Sequence, residues 1–234
     1  MGRRGKRWGI RSAAAGTAAL LLVGCGSGSG AGNGSGGGKA GGDSHAKALG
    51  KAEVTSVMPD AKAVPGWRSV LEPSALPRNP EVPPPVCLTK SKKKHAATCD
   101  RITFWGVSGY ARTSDAASLN FWALAYKDEK TADAAYDALA EYYGGDRVGV
   151  GAVPVPIGEP GQDRTANRAE VGSMGGPGTI TQIRVGTTVL GFGTGSQGRK
   201  ALPDEQVEAL AAMFAERAQQ AQDGDKPSAT LTGR

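Results

Sequence analysis

Cys87 and Cys99 bracket a short stretch that also holds His95, and Asp100 follows the second cysteine. Two thiols, an imidazole and a carboxylate so close together have two chemistries open to them, a metal site or a disulfide. Zinc takes Cys and His at recurrent short spacings, and Cys-x7-His-x3-Cys is not a common one. The choice turns on the compartment, because thiols outside the cytoplasm oxidise. A second candidate is Gly193-Thr-Gly-Ser-Gln-Gly198-Arg199-Lys200, between an expected strand and an expected helix. A phosphate loop needs Gly-x4-Gly-Lys-Ser/Thr, with the lysine on the phosphates and the hydroxyl on magnesium. Arg199 and Lys200 stand at those positions and the hydroxyl is missing, so no nucleotide site is assigned.

Catalytic ingredients are otherwise scarce. Glu129, Asp133, Asp137 and Glu141 recur every fourth residue and so share one helix face. Acid pairs do acid–base work only where a cleft splits their pKa values, and this spacing reads as a solvated face. The chain has 2 histidines, His45 in a Gly-rich stretch and His95 in the cysteine loop. There is no Gly-x-Ser-x-Gly elbow. Two carboxylates suffice for a glycosidase, but nothing marks such a pair. No catalytic residue, metal or cofactor is assigned, and the chain reads as a non-enzyme.

The N-terminus decides the compartment. Arg3, Arg4, Lys6, Arg7 and Arg11 form a positive region ahead of an uncharged, mostly apolar stretch from Ser12 to Gly24. Crossing a bilayer takes about 20 apolar residues, so this run reads as a cleaved export signal. Arg3-Arg4 lacks the flanking residues of a twin-arginine signal, which leaves the general secretory route. Leu22-Val23-Gly24-Cys25 then ends the run with small residues before a cysteine. This resembles the lipobox of bacterial lipoproteins. The resemblance implies that residues 1–24 are removed and that Cys25 carries a diacylglycerol. The rest then sits on the extracytoplasmic face of the cell membrane, held by the lipid. In that compartment Cys87 and Cys99 are expected to pair as a disulfide.

Processing changes the charge argument. The formal charge is +6, from 28 Lys and Arg against 22 Asp and Glu. Five of the basic residues and no acidic one precede Cys25, which leaves 23 against 22. A nucleic-acid partner would require a strongly basic face, and none is expected. Lys90, Lys92, Lys93 and Lys94 cluster in the cysteine loop. They read as a solvated tip or as a contact for anionic polymer or headgroups.

Four segments follow from composition: the signal at 1–24, a lipidated Cys with Gly/Ser-rich tether at 25–45, one folded domain at 46–224, and a polar, frayed tail at 225–234. The tether has too little apolar surface to offset the entropy of ordering. Within the domain, eight prolines between Met58 and Val86 predict an extended wrap rather than a helix or central strand. Trp67 in this wrap is open to two readings, core anchor or ligand-stacking ring. Arg101 to Ala111 and Leu119 to Tyr126 predict an antiparallel hairpin. Ala132, Ala135, Tyr136, Leu139, Ala140 and Tyr143 form a helical stripe that Asp128 can cap and Gly144-Gly145 can end. Short strands are expected at Val148 to Val155, Asn167 to Val171, Thr179 to Val185 and Thr187 to Phe192, the last two turning near Gly186. Pro203 opens a final helix with Val207, Leu210, Ala211, Phe214, Ala218 and Ala221 inward. The fold class is therefore α+β, a single domain with an antiparallel sheet against two main helices.

The hairpin supplies Trp105, Tyr110, Trp122 and Tyr126. Adjacent aromatics such as Phe121 and Trp122 point to opposite sheet faces. Helices are expected on one face, and the other is either covered by a second layer or open as an apolar groove. Whether Trp105 and Trp122 share a face depends on register.

The stretch Phe121 to Leu139, a strand passing through Tyr126-Lys127-Asp128 into an Ala-rich helix, resembles part of one family, as does Ile183-Arg184-Val185-Gly186 heading a strand. That family is the extracellular sensor domain of actinobacterial Ser/Thr protein kinases, with its lipoprotein relatives. The resemblance implies a non-catalytic sensor or ligand-binding domain. The expected ligand is a small molecule, lipid or cell-wall component, and the expected surface is the sheet face opposite the helices, through the four aromatics. The alternative is a carrier or chaperone for lipid or another apolar envelope component.

Overall fold

Seven antiparallel strands form one sheet in the order β1-β2-β3-β7-β6-β5-β4. The computed structural model describes residues 46–79, 83–84, 87, 98–144, 147–172, 176–197 and 200–232, all within one compact unit. The expected signal and tether, His95 and the lysine cluster lie outside the described residues.

β2 (Phe104–Arg112) and β3 (Ala117–Ala125) pair along their whole length, Phe104 against Ala125 and Arg112 against Ala117. This is the expected hairpin, shifted by a residue or a few at its ends. The chain then crosses one face of the sheet as α2 (Glu129–Tyr143). It reaches the far edge at β4 (Val153–Pro154) and returns strand by strand through β5 (Asp163–Ala169), β6 (Gly178–Val185) and β7 (Thr188–Ser196). β7 pairs with β3 and closes the sheet. α3 (Asp204–Gln222) crosses the opposite face, beside the short α1 (Lys51–Val57).

Local chemistry explains most boundaries. The Asp128 side chain accepts from the Thr131 N–H at 2.8 Å and caps α2, a contact of about 1 kcal/mol. β6 and β7 turn at Gly186, whose φ is +48°, a conformation glycine adopts at low cost. α3 starts just after Pro203 and stops before Gly224 at φ +88°. The expected strand over Val148 to Val155 shrinks to Val153–Pro154. Gly151 at φ +72° turns the backbone away, and Pro154 lacks an N–H for a ladder.

Several elements differ from expectation. The proline-rich wrap is in part an edge strand, β1 (Arg68–Pro77), paired with β2 on one side and broken by two register shifts. The tail at 225–232 is not frayed: Leu231 N–H donates to Ala63 O at 2.8 Å, and Ser228 N–H to Gln220 Oε1 at 2.7 Å. Both faces of the sheet carry helices, so no face stands opposite the helices. Tyr110, Leu119, Phe121, Phe192 and Phe214 form the core on the α1/α3 side. Trp105, Leu124, Tyr126, Tyr136, Leu139 and Val189 form a second core under α2. Trp67 is buried in the first core, with the Arg112 guanidinium 4.4 Å above its ring.

Cys87 and Cys99 are joined by a disulfide, with 5.4 Å between their Cα atoms. It ties the segment after β1 to the residues that lead into β2.

Candidate functional site

Register decides where the four candidate aromatics go. Val107 pairs with Trp122 and Trp105 with Leu124, so Trp105 and Trp122 share the α2 face. Ser108 and Tyr110 point to the other side with Phe121. Tyr110 is fully buried and its hydroxyl donates to Pro59 O at 2.6 Å. Desolvation pushes this phenol up to about 12. Tyr126 is fully buried beneath α2, and burial raises its pKa well above the usual phenol range. Trp105 is 8% exposed in the same core. The structure therefore does not gather the four into one surface.

Trp122 alone among them is half-buried. Its ring lies over Gly191, where an added Cβ would run into the indole. Tyr143, the last residue of α2, stacks on it with centroids 6.2 Å apart and planes 28° apart. Tyr142 meets Tyr143 edge-on at 4.8 Å, and the Arg147 guanidinium lies 4.4 Å from the Tyr142 ring. An aromatic ladder thus closes the end of α2.

Beyond that ladder the sheet face continues without helix cover. Register places Ser118, Ile180, Gly193 and Gly195 on the same face as Trp122 and Gly191. Here the sheet floors a cleft of about 200 Å³, walled by Ala116, Val148, Gly172, Gly176 and Gln197. A Cβ built on Gly193 meets nothing within 4 Å, so this glycine leaves open space. The rim is held by short links: Gly172 N–H to Gly176 O at 2.7 Å, Ser196 N–H to Pro177 O at 3.1 Å and Gln197 N–H to Ala116 O at 3.2 Å. Val150 and Val171 stand 89% and 66% exposed close in sequence to Val148 and Gly172 of the wall.

The described lining is made of glycine, alanine, serine, threonine, valine, isoleucine and glutamine, and none of these residues is ionisable. It offers the Ser118 hydroxyl, the Gln197 amide and backbone groups, beside apolar surface. The volume equals about six or seven waters at ~30 Å³ each, below the ~300–1,000 Å³ typical of drug-sized ligands. It suits one ring or a short chain.

No protein-family model matches the sequence, and no curated protein matches it. Among solved structures, the extracellular domain of PknH from Mycobacterium tuberculosis is similar. The TM-score is 0.48 at 12% identity, over 76% of this chain and 99% of that one. Sequence reasoning missed the cleft, although it had a signal. Gly191, Gly193 and Gly195 alternate along β7, and glycines two apart in a strand bare one face.

β7 runs through Gly193 to Ser196, so the first half of the phosphate-loop-like stretch is strand. Glu129 accepts from Ala46 N–H at 2.8 Å, and Asp133, exposed on α2, pairs with Arg184 of β6 at 3.5 Å. Among the described residues, no three His, Cys, Asp or Glu side chains converge on a metal-sized site. Likewise, no helix there is long and apolar enough to cross a membrane.

Proposed function

We propose that this chain is an extracytoplasmic lipoprotein whose domain binds a small uncharged ligand without turnover, in the cleft beyond Trp122. The observation that carries the reading is the lining: open volume over Gly193, hydrogen-bonding groups and no ionisable side chain among the described residues. Proton transfer at neutral pH requires a group tuned near that pH, whereas binding requires only complementarity. Anchoring at Cys25 and the address outside the cytoplasm rest on the lipobox resemblance, and the Cys87–Cys99 disulfide fits an oxidising compartment.

A carrier of lipid or another apolar envelope component is the second reading. The exposed valines beside the cleft favour it, and the small volume weighs against whole acyl chains. Native mass spectrometry of protein extracted from its own membrane names the ligand class. Gly193→Val fills the open space at a backbone position that tolerates a side chain. The variant is expected to melt like the parent and to lose the co-purified ligand. Full retention of the ligand by Gly193→Val overturns the assignment of this cleft.

A further inference from the structure

Three side chains of different chemistry line up along β3 on the face of the cleft. Ser118, Asn120 and Trp122 alternate with inward residues, so a hydroxyl, a carboxamide and an indole stand on one side of the sheet. Asn120 is exposed although β3 is a central strand. No hydrogen bond occupies its carboxamide among the described residues. Register sets it between two bare positions, Gly109 on β2 and Gly193 on β7. A Cβ built on Gly109 would stand 3.3 Å from Asn120 Oδ1 and 3.2 Å from Leu71 Cβ, whereas one built on Gly193 meets nothing within 4 Å. The amide therefore leans over Gly109 and borders the open space above Gly193 without filling it.

On its other side Gly193 pairs with Ile180 of β6. Neighbouring strands lie about 4.8 Å apart, so the Asn120 and Ile180 backbones face each other across about 10 Å. The space above Gly193 thus has a carboxamide on one flank and an aliphatic side chain on the other, with Ser118 and Gln197 close by in the cleft. A carboxamide both donates and accepts, as neighbouring hydroxyls on a ring do. A wholly apolar ring would strip water from Asn120, Ser118 and Gln197 and return no hydrogen bond. An ionised ligand would meet no counter-charge among the described lining residues. A ring with hydroxyls at its edge and C–H groups on its face satisfies both flanks.

We propose that the cleft seats one neutral sugar ring over Gly193, with Asn120 as the residue that reads its hydroxyls. This rests on the reading of the cleft as a site for a small uncharged ligand, and it names the class of that ligand.

The test titrates the mature protein in lipid nanodiscs, followed by saturation-transfer NMR. The probes are the methyl glycosides of glucose, galactose, mannose, arabinose and N-acetylglucosamine. Cyclohexanol and N-acetylglycinamide serve as comparators for a nearly apolar ring and for a bare amide. At least one glycoside is expected to bind more tightly than either comparator. Asn120→Ala removes an exposed side chain, so the variant should melt like the parent. It should weaken the bound glycoside about tenfold, for the loss of two hydrogen bonds, and Gly193→Val should abolish binding. If no glycoside outbinds the comparators, the sugar class is overturned. A comparator that binds best and is lost in Gly193→Val overturns the proposal while keeping the cleft as a binding site. Glycoside binding untouched by Asn120→Ala overturns the role given to Asn120. Glycoside binding that survives Gly193→Val overturns the cleft reading, and the proposal with it.

Discussion

Arg217 of α3 donates its Nε–H to the carbonyl of Val57, the last residue of α1, at 3.0 Å. Its Nη2 reaches Ser56 O at 2.7 Å and Met58 O at 3.3 Å, and its Nη1 reaches Ala229 O at 3.0 Å. The residue is 5% exposed. Burial lowers its pKa, with Asp60 and Tyr110 opposing as weaker electrostatic influences. The last carbonyls of a helix have no partners within it, and a planar guanidinium can serve several at once. One side chain thus joins α1, α3 and the C-terminal tail.

Arg217→Met is expected to lower stability by about 3–5 kcal/mol, because buried carbonyls lose their donors together. Arg217→Lys keeps the charge but not the fork and should fall in between. Urea unfolding measures both. A methionine variant as stable as the parent would show that these bonds are dispensable.

Much of the fold was legible because its signals are local. The α2 stripe, its Asp128 cap and the Gly186 turn each depend on a few neighbouring residues. α1 was not legible: its 7 residues are short of a stable isolated helix, and Arg217 from 160 residues away completes its end. Arg217 itself lies three residues after Phe214 and four before Ala221, on the axis of the buried stripe. Its charge led sequence reasoning to read past it. The second helical layer over Trp105 and Tyr126 depends on α2 folding back across β6 and β7, and hairpin periodicity does not carry that information. The cleft draws on the start of β3, the start of β6, the end of β7 and four connecting loops. Only the alternating glycines of β7 hinted at it.

The Cys87–Cys99 bond closes a loop with a sequence separation of 12. In the chain-entropy account this contributes about 3 kcal/mol. Cys99→Ser is expected to lose about that much in denaturant unfolding. Intact-mass analysis of the native protein should show two alkylatable thiols only after reduction. Free thiols before reduction would remove the bond from the account.

Alkaline pH should destabilise the domain. Desolvation raises Tyr110 and Tyr143 to about 12, with Tyr126 higher still and Tyr136 also raised. Unfolded tyrosine titrates near ~10. These groups therefore contribute stability that is fully present below pH ~10 and is lost as pH rises through ~12. Melting temperatures measured from neutral to about pH 12 should stay level and then fall in that window. Within this set Tyr126 is unusual, because its hydroxyl is buried without a partner among the described residues. Tyr126→Phe should match or exceed the parent by about 1 kcal/mol and blunt the alkaline fall. A clear loss at neutral pH would mean that the hydroxyl is satisfied.

Anchoring is tested by fractionation. Cys25→Ala removes the only thiol in the lipobox-like stretch. The variant should accumulate as uncleaved precursor or leave the membrane fraction. Membrane retention with processing at the same site contradicts lipidation at Cys25.

Trp122 and Gly191 form the hinge of the functional reading, because the indole covers one glycine of β7 and the cleft begins at the next glycine on that face, Gly193. Trp122→Ala removes a half-buried ring and its stack with Tyr143. Full burial would make that about 3–5 kcal/mol, so a half-buried ring should cost about 2 kcal/mol and leave a folded protein. Gly191→Ala places a Cβ where the ring now lies, and displacing the ring should cost about 1–3 kcal/mol. In the double variant the Cβ has room, so the combined cost should be clearly smaller than the sum, by at least ~0.5 kcal/mol for groups in contact. Additive costs would show that the ring does not rest on Gly191. If Trp122 also walls the cleft, Trp122→Ala weakens ligand binding by about 1 kcal/mol or more through lost stacking. Unchanged affinity beside the predicted stability loss assigns Trp122 to the fold alone and leaves recognition to the floor around Gly193.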